Sequence, residues 1–460
     1  MYKAYVTTLK NVRPHPNADR LQLGDCFGNT VCVDLSYTEG QTGVYFPTDG
    51  QLSVEFAEAN NLLRKKDDAG NNIGGYMDPS KRNVCAIRLR GEKSDGLFLP
   101  LKSLEQFGDV STLREGDTID VFNGHQICQK YIPRTNHRSG GVGGNKTRKK
   151  KVNIAPLFVE HADTEQLAYN LSAFKPGDEI EITLKMHGTS QRTGYLPVFK
   201  GHKRTFVDWL LRRDGKPIYD WGYVSGTRRT VLENYDGGYY GSNEFREQHS
   251  KTFEGKLWKG ETVYYEVVGF THSGAPIMAD GKNEKLGKDF VKQYGKTTVF
   301  SYGCASDGYV GEAPKITDGH GAELIRFDFY PQSDIYVYRM TMTNEDGAVV
   351  EYTPDFMRYR CEQMGVKTVP VMWKGTIEGK RIECGEITSG DWIKNVAEGF
   401  YDGPDPIGKT HVREGVVVRI LNRPKFTAYK HKNFSFKVLE GIIKDTAAAP
   451  DMEEAQEVEN

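Results

Sequence analysis

The stretch EIEITLKMHGTSQRTGYL, residues 179–196, decides the reading of this chain. Its first half alternates as a strand does: Ile180, Ile182 and Leu184 share one side, and Glu181, Thr183 and Lys185 share the other. The strand ends on a lysine, and a glycine turn with two hydroxyl residues follows, His187-Gly188-Thr189-Ser190. A strand-end lysine is usually no more than a solvated charge. A reactive one needs company. A free lysine is protonated at neutral pH and becomes a nucleophile when desolvated or set beside other cations. A lysine that handles phosphate also needs carboxylates for a divalent metal and further cations for the phosphates.

Those parts follow in order along the chain. VYYEVVG places Glu266 among β-forming residues just before Gly269. REGVVVRI places Glu414 at the mouth of an apolar strand. TAYKHKN places Lys430 and Lys432 on one face of a strand, because strand side chains repeat every second residue. YVSGTRRTV puts Arg228 and Arg229 in a Gly-Thr turn, and DIYVYRMT puts Tyr338 in an aromatic strand, where core packing is the competing role.

The rest of the composition bounds the answer. The chain has 460 residues, 38% hydrophobic and 27% charged, which suits a globular protein of two or three domains. Its 50 glycines and 11% aromatic content point to strands and loops rather than a helical bundle. Net charge is −1, so a polyanionic partner is not announced by the sum. The distribution says more: RTNHRSGGVGGNKTRKKK (134–151) is basic, and the end DMEEAQEVEN is acidic. Seven cysteines, an odd number with no C-x-x-C pair, argue against a zinc ribbon or a disulfide framework and fit a reducing cytoplasm. The start MYKAYVTTLK has no apolar signal core and no run is long enough to span a bilayer, so a cytoplasmic protein without a membrane partner is expected.

Residues 1–133 read as short strands with turn punctuation, which predicts a small β-barrel. FGNT is one of its turns, VCAIRLRGEKSDGLFLPL predicts a hairpin around Lys93–Gly96, and His15 reads as a turn histidine between prolines. Residues 134–152 read as a basic, glycine-rich linker. From 153 to 444 strands and helices mix without a βαβ rhythm, which predicts α+β architecture with antiparallel sheets. TPDFMRYRCEQMG predicts a helix with Thr353 as N-cap, Pro354 in its first turn and Gly365 at its end. Residues 445–460 predict a disordered acidic tail.

Taken together, these motifs resemble the covalent nucleotidyltransferase superfamily of ATP-dependent nucleic-acid ligases and capping enzymes. KMHGTS is similar to its K-x-x-G nucleophile motif, YYEVVG to the third motif, EGVVV to the fourth and YKHKN to the fifth. His187, and Ser190 where DNA ligases carry arginine, resemble RNA ligases, and SGTRR resembles their phosphate-engaging arginine segment. HPNADRL and the surrounding strands resemble the OB-type domain that precedes the transferase in one branch of RNA ligases.

The resemblance implies an N-terminal OB-like barrel followed by an antiparallel-sheet, ATP-grasp-like nucleotidyltransferase domain. It implies an enzyme that joins a 3′-OH RNA end to a 5′-phosphate end in RNA repair, using ATP with Mg2+ or Mn2+, on RNA or an RNA-containing nicked duplex, as a monomer. Lys185 would carry AMP, with Lys430 and Lys432 steadying charge on the α-phosphate. Gly188 belongs to the nucleotide site, Arg228 would grip a phosphate and Tyr338 would stack on adenine. Glu266 would meet the ribose, and Glu414 and Glu266 the metal. Arg229 competes with Arg228, and Lys437 with Lys432. Thr183 stands where DNA ligases often carry glutamate, and the stretch 271–324 exceeds what a minimal transferase needs. The competing readings are a DNA ligase, a capping-type guanylyltransferase, or an RNA-binding protein with an inactive transferase.

Overall fold

Strands are the commonest regular element among the described residues, and their registers fix where charged residues meet. The computed structural model describes residues 2–70, 72–132, 153–161, 164–211, 213–232, 235, 243–307, 315–317, 320, 323–325 and 331–445. The expected linker and the tail from 446 onward lie outside them. By contacts the described chain divides into two units. The first collects residues up to 132, Gly281–Lys296 and 433–445; the second collects 153–280 and 297–432. Residues 281–296 and 433–444, which the sequence reading placed with the second domain, thus group with the first.

In the first unit, Ala4–Thr8, Thr42–Phe46, Leu97–Pro100 and Thr118–Ile119 form a four-stranded antiparallel sheet. Val6, Val44, Phe46, Leu52 and Phe56 are at its core. Leu21–Cys26 and Asn29–Asp34 make the hairpin expected at FGNT, turning through Phe27 and Gly28 with φ 51° and 75°. Two successive positive φ values match the twist of the flanking strands. The hairpin expected around Lys93–Gly96 turns instead at Arg90–Gly91, with φ 45° and 96°, and pairs Ala86–Leu89 with Glu92–Asp95. Arg-Gly supplies the two positive φ values there, while Lys93 stays in register opposite Arg88. The described strand pairings form separate sheets and leave the expected barrel unclosed. His15 is buried; its Nδ1 accepts the Asn17 N–H at 3.1 Å and its Nε2 donates to Leu89 O at 3.1 Å, a satisfied turn histidine.

The second unit carries two antiparallel sheets. Its main elements are β1 (Glu179–Lys185), β2 (Thr189–Lys203), β3 (Lys216–Gly226), α1 (Glu244–Lys251), β4 (Glu261–Gly269), β5 (Ser333–Thr343), α2 (Pro354–Met364), β6 (Val371–Thr376), α3 (Ser389–Glu398), β7 (Gly415–Ile420) and β8 (Thr427–Lys432). One sheet runs Glu165–Gln166, β8, β7, β1, β6; the other runs β3, β2, β4, β5, Val349–Glu351, with Lys367–Thr368 parallel to β5. Ile180, Ile182, Val416 and Val418 cover one face of the first sheet and pack with Ile393 and Ala397 of α3.

Helix α2 starts and stops as the sequence predicts. Thr353 accepts the Phe356 N–H, Pro354 opens the first turn, and Gly365 closes the helix at φ 69°. Arg360 on α2 donates twice to the fully buried Glu261 of β4, at 2.9 and 2.8 Å, and ties the helix to the second sheet. No helix among the described residues is long and apolar enough to cross a membrane.

Candidate functional site

Register across β1, β7 and β8 assembles the charges. Lys185 lies opposite Gly415, and Gly415 opposite Lys432. One step in, Thr183, Val417 and Lys430 form a second row; the third row is Glu181, Arg419 and Ala428 in successive pairings two residues further on. Residues directly opposite share a face, so the polar half of β1 looks away from the Ile180–Val418 core. Glu414 precedes the first residue of β7 and therefore meets both lysines. Its buried carboxylate receives Lys185 Nζ at 2.7 Å and Lys432 Nζ at 3.4 Å, with His187 Nδ1 at 3.8 Å. Lys430 faces the same side as Lys432.

The turn after Lys185 is held from behind. The His187 N–H donates to the Tyr302 hydroxyl at 2.7 Å. Tyr302 is buried, and burial pushes its hydroxyl well above its usual range, so it stays neutral and available as an acceptor. Phe300 packs edge-on against His187 at 4.6 Å. These partners come from the stretch that looked superfluous in the sequence. Gly188 is there for space: a Cβ would stand 2.4 Å from Val267 O and 2.9 Å from Glu266 Cγ.

The second sheet brings the remaining candidates. Glu266 on β4 lies opposite Ser190 and Tyr336. Tyr338 falls in a bulge: Tyr264 pairs with Arg339 and Tyr265 with Val337, leaving Tyr338 outside the register. A bulge re-aims its side chain, and Tyr338 lines a cleft with Lys185, Glu266 and Arg228. That cleft, with the open solvent at its mouth included, encloses about 850 Å³. Arg228 is half-buried in the cleft wall, whereas Arg229 is exposed. Lys437 is elsewhere, paired with Asp95 at 2.6 Å within the first unit.

Other cleft residues had no motif to announce them. Arg419 and Phe426 line it, with the Arg419 guanidinium 4.9 Å from the Phe426 ring, and burial lowers the pKa of that arginine. Arg358 on α2 reaches Glu181 at 2.8 Å. His161, before β1, has its ring 5.1 Å from Tyr338 and accepts at Nδ1 from Arg339 at 3.2 Å. Two arginines work as scaffolding. Fully buried Arg192 donates to Thr227 O and Phe158 O, both at 3.0 Å, and to Arg229 O at 3.3 Å, which pins the turn holding Arg228. Arg246 on α1 reaches Ser190 O at 3.2 Å and Thr189 Oγ1 at 2.5 Å. Behind the sheet, His431, between the two lysines of β8, lies 3.5 Å from Glu398 Oε1 on α3 and stacks on Tyr401 at 4.9 Å. Proximity to His431 is the chief cause that holds Glu398 down at about 2, with Lys394 adding to it.

Among the described residues no group of three or more His, Cys, Asp and Glu side chains could hold a metal by itself.

The fold has solved counterparts. A lysine variant of Naegleria gruberi RNA ligase with ATP and Mn is similar at TM-score 0.53 and 15% identity, covering 94% of this chain and 98% of that chain. A second lysine variant with AMP and Mn gives 0.53 and 15%, covering 94% and 97%. The ligase with PPi gives 0.52 and 15%, again covering 94% and 97%. No protein-family model matches the chain, and no curated protein matches it. The chain has the fold of these ligases over nearly its whole length.

Proposed function

We propose that this protein is an ATP-dependent RNA ligase of the covalent nucleotidyltransferase superfamily. The observation that carries the reading is the convergence of Lys185, Lys432 and Glu414, three residues from separate motifs, with Lys185 itself lining the cleft. The neighbouring ligase structures with ATP, AMP and Mn support the choice of nucleotide and metal.

ATP is the first substrate. Lys185 Nζ, as the free amine, attacks the α-phosphorus; the N–P bond forms, the bond to the β-phosphate oxygen breaks, and pyrophosphate leaves. The amine proton passes to solvent. Lys430 and Lys432 are fixed cations for charge on the α-phosphate, and fixed cations cost no reorganisation during the reaction. Arg228 grips a phosphate through its planar fork. Tyr338, with Phe426 and His161 around it, takes the adenine face, and Glu266 the ribose. Glu414 and Glu266 would hold Mg2+ or Mn2+, which would supply charge neutralisation at the phosphates when bound.

In the second step a 5′-phosphate oxygen attacks the phosphorus of lysyl-AMP and the P–N bond breaks. In the third a 3′-OH attacks the capped end and AMP leaves. The first unit, with its OB-type sequence, has the task of holding nucleic acid.

The test swaps ribose for deoxyribose on each side of a nick and measures sealing from preformed adenylylated ends. Much faster sealing with ribose at the 3′-OH end is expected, because the 2′-OH distinguishes RNA from DNA at a site. Equal rates would favour a DNA ligase, and covalent labelling by GTP rather than ATP would favour a capping enzyme.

A further inference from the structure

Strands β2 and β3 do more than complete a sheet. From Thr189 to Gly194 β2 pairs with β4, and from Arg192 onward it pairs with β3; beyond Gly194 it pairs only with β3, out to Lys203 opposite Lys216. The outer part is a two-stranded arm. Its roots are at the cleft, since β2 begins four residues after Lys185 and β3 ends two residues before Arg228. At about 3.3 Å per residue, β2 spans roughly 50 Å.

The tip of this arm breaks the rules for a surface. Phe206, Val207, Trp209, Leu210 and Leu211 are 76, 58, 65, 64 and 52% exposed. Consecutive apolar residues in water are an error unless something covers them. The tip is nonetheless a formed turn. Thr205 accepts the Asp208 N–H at 3.2 Å and Asp208 accepts the Thr205 N–H at 2.9 Å, a capping box. Phe206 and Trp209 stack with centroids 5.8 Å apart and planes 29° apart.

Charge identifies the partner. Residues 198–218 hold six lysines and arginines against two aspartates, in a chain whose net charge is −1. Lys200, Lys203, Arg204, Arg213 and Lys216 are exposed. Aromatic rings continue down the ribbon, with Phe199 and Tyr219 6.0 Å apart, edge to face. A lipid-inserting loop confines its apolar groups to the tip; here basic and aromatic residues interleave along the arm, the pattern that tracks a phosphate backbone and stacks on bases. Apolar wedges between base steps, flanked by lysine and arginine, are an established way for proteins to grip nucleic acid.

We propose that the 195–223 arm is an RNA-binding surface: its lysines and arginines contact phosphates beside the joint, and Phe206 and Trp209 stack on unpaired or loosened bases. This inference rests on the ligase reading for the identity of the nucleic acid.

The experiment uses the full chain and two variants, one with Phe206→Ser, Trp209→Ser and Leu210→Ser, the other with Lys203→Glu, Arg204→Glu and Lys216→Glu. Binding to a nicked RNA duplex and to a single-stranded RNA is read by fluorescence anisotropy at low and high salt. Lysyl-AMP formation and urea unfolding are measured alongside. Both variants are expected to raise Kd about tenfold or more, the first by losing base stacking and the second by losing phosphate contacts, with unfolding and lysyl-AMP formation unchanged. The charge variant alone should flatten the dependence of log Kd on log salt. Unchanged RNA affinity in both variants overturns the proposal. So does unchanged RNA affinity combined with tip-dependent flotation on phosphatidylserine vesicles, which assigns the arm to a membrane surface. If the variants lose RNA while the unaltered protein forms no lysyl-AMP, the arm stands and the ligase reading falls.

Discussion

The two sheets of the second unit build their halves of the cleft by opposite means. In the sheet of β1, β7 and β8, Lys185, Lys430 and Lys432 stand where strict alternation and register put them, and Glu414 meets two lysines because it abuts Gly415. In the sheet of β2, β4 and β5, the site depends on departures from regularity: the close approach at Gly188, the bulge at Tyr338, and the turn at Arg228 pinned by Arg192. The first sheet joins charges that act on one another. The second places separate groups, each by its own local device. Substitutions in the first sheet should therefore be strongly coupled, and those in the second nearly independent.

Coupling is the largest expected effect. Glu414→Ala should slow lysyl-AMP formation about 10³-fold and Lys432→Ala about 10²-fold, in the range seen when a preorganised charge is removed. The double variant should fall well short of the product, measured by single-turnover labelling. Full multiplication would mean that the two residues act separately.

Gly188→Ala comes next. The added methyl meets the Val267 carbonyl at 2.4 Å, and overpacking of this kind costs about 1–3 kcal/mol. Urea unfolding should show that loss together with slower labelling. A variant as stable as the unaltered protein would mean that the turn has room to move.

Tyr338→Ala should raise KM for ATP about tenfold with little change in kcat, since a stacked base contributes about 1–3 kcal/mol. Combined with Arg228→Ala, the two effects should add in free energy. A fall in kcat at unchanged KM would remove Tyr338 from the adenine site.

The smallest effect is one of pH. The nearby His431 is the main reason that Glu398 is held at about 2, below its ordinary 4.5. A depressed carboxylate stabilises the fold above its unfolded pKa, and that contribution disappears as pH falls from 4.5 toward 2. Across this window the urea midpoint of the unaltered protein should drop more than that of Glu398→Gln, and the two should converge near pH 2. Parallel curves would remove this pair as the anchor behind β8.

What could be read from the sequence follows the same division. Alternation placed Lys185, Lys430 and Lys432 correctly on their strands, because a half-buried strand has a period of two that one chain displays by itself, and Glu414 sits at the mouth of its strand as the apolar run implied. Helix α2 was readable from its caps. Tyr338 could be read only as an aromatic in a strand, since a bulge depends on the register of a neighbouring strand. The sequence alone did not separate Arg228 from Arg229 or Lys432 from Lys437; in the fold the two arginines differ in exposure, and Lys437 is paired with Asp95. His161, Arg358, Arg419 and Phe426 reach the cleft from segments with no local pattern, through contacts across long sequence separations. The turn at Arg90–Gly91 was misplaced because Lys93–Gly96 has a turn composition too, and composition does not specify successive φ values.

The most direct measurement is a peptide map. The protein is incubated with ATP and Mg2+ or Mn2+, digested, and searched by mass spectrometry for an adenylate. The account expects one adenylate, on the peptide that contains Lys185, absent from Lys185→Ala although that variant unfolds in urea as the unaltered protein does. An adenylate on another residue, or one that persists in Lys185→Ala, would contradict it.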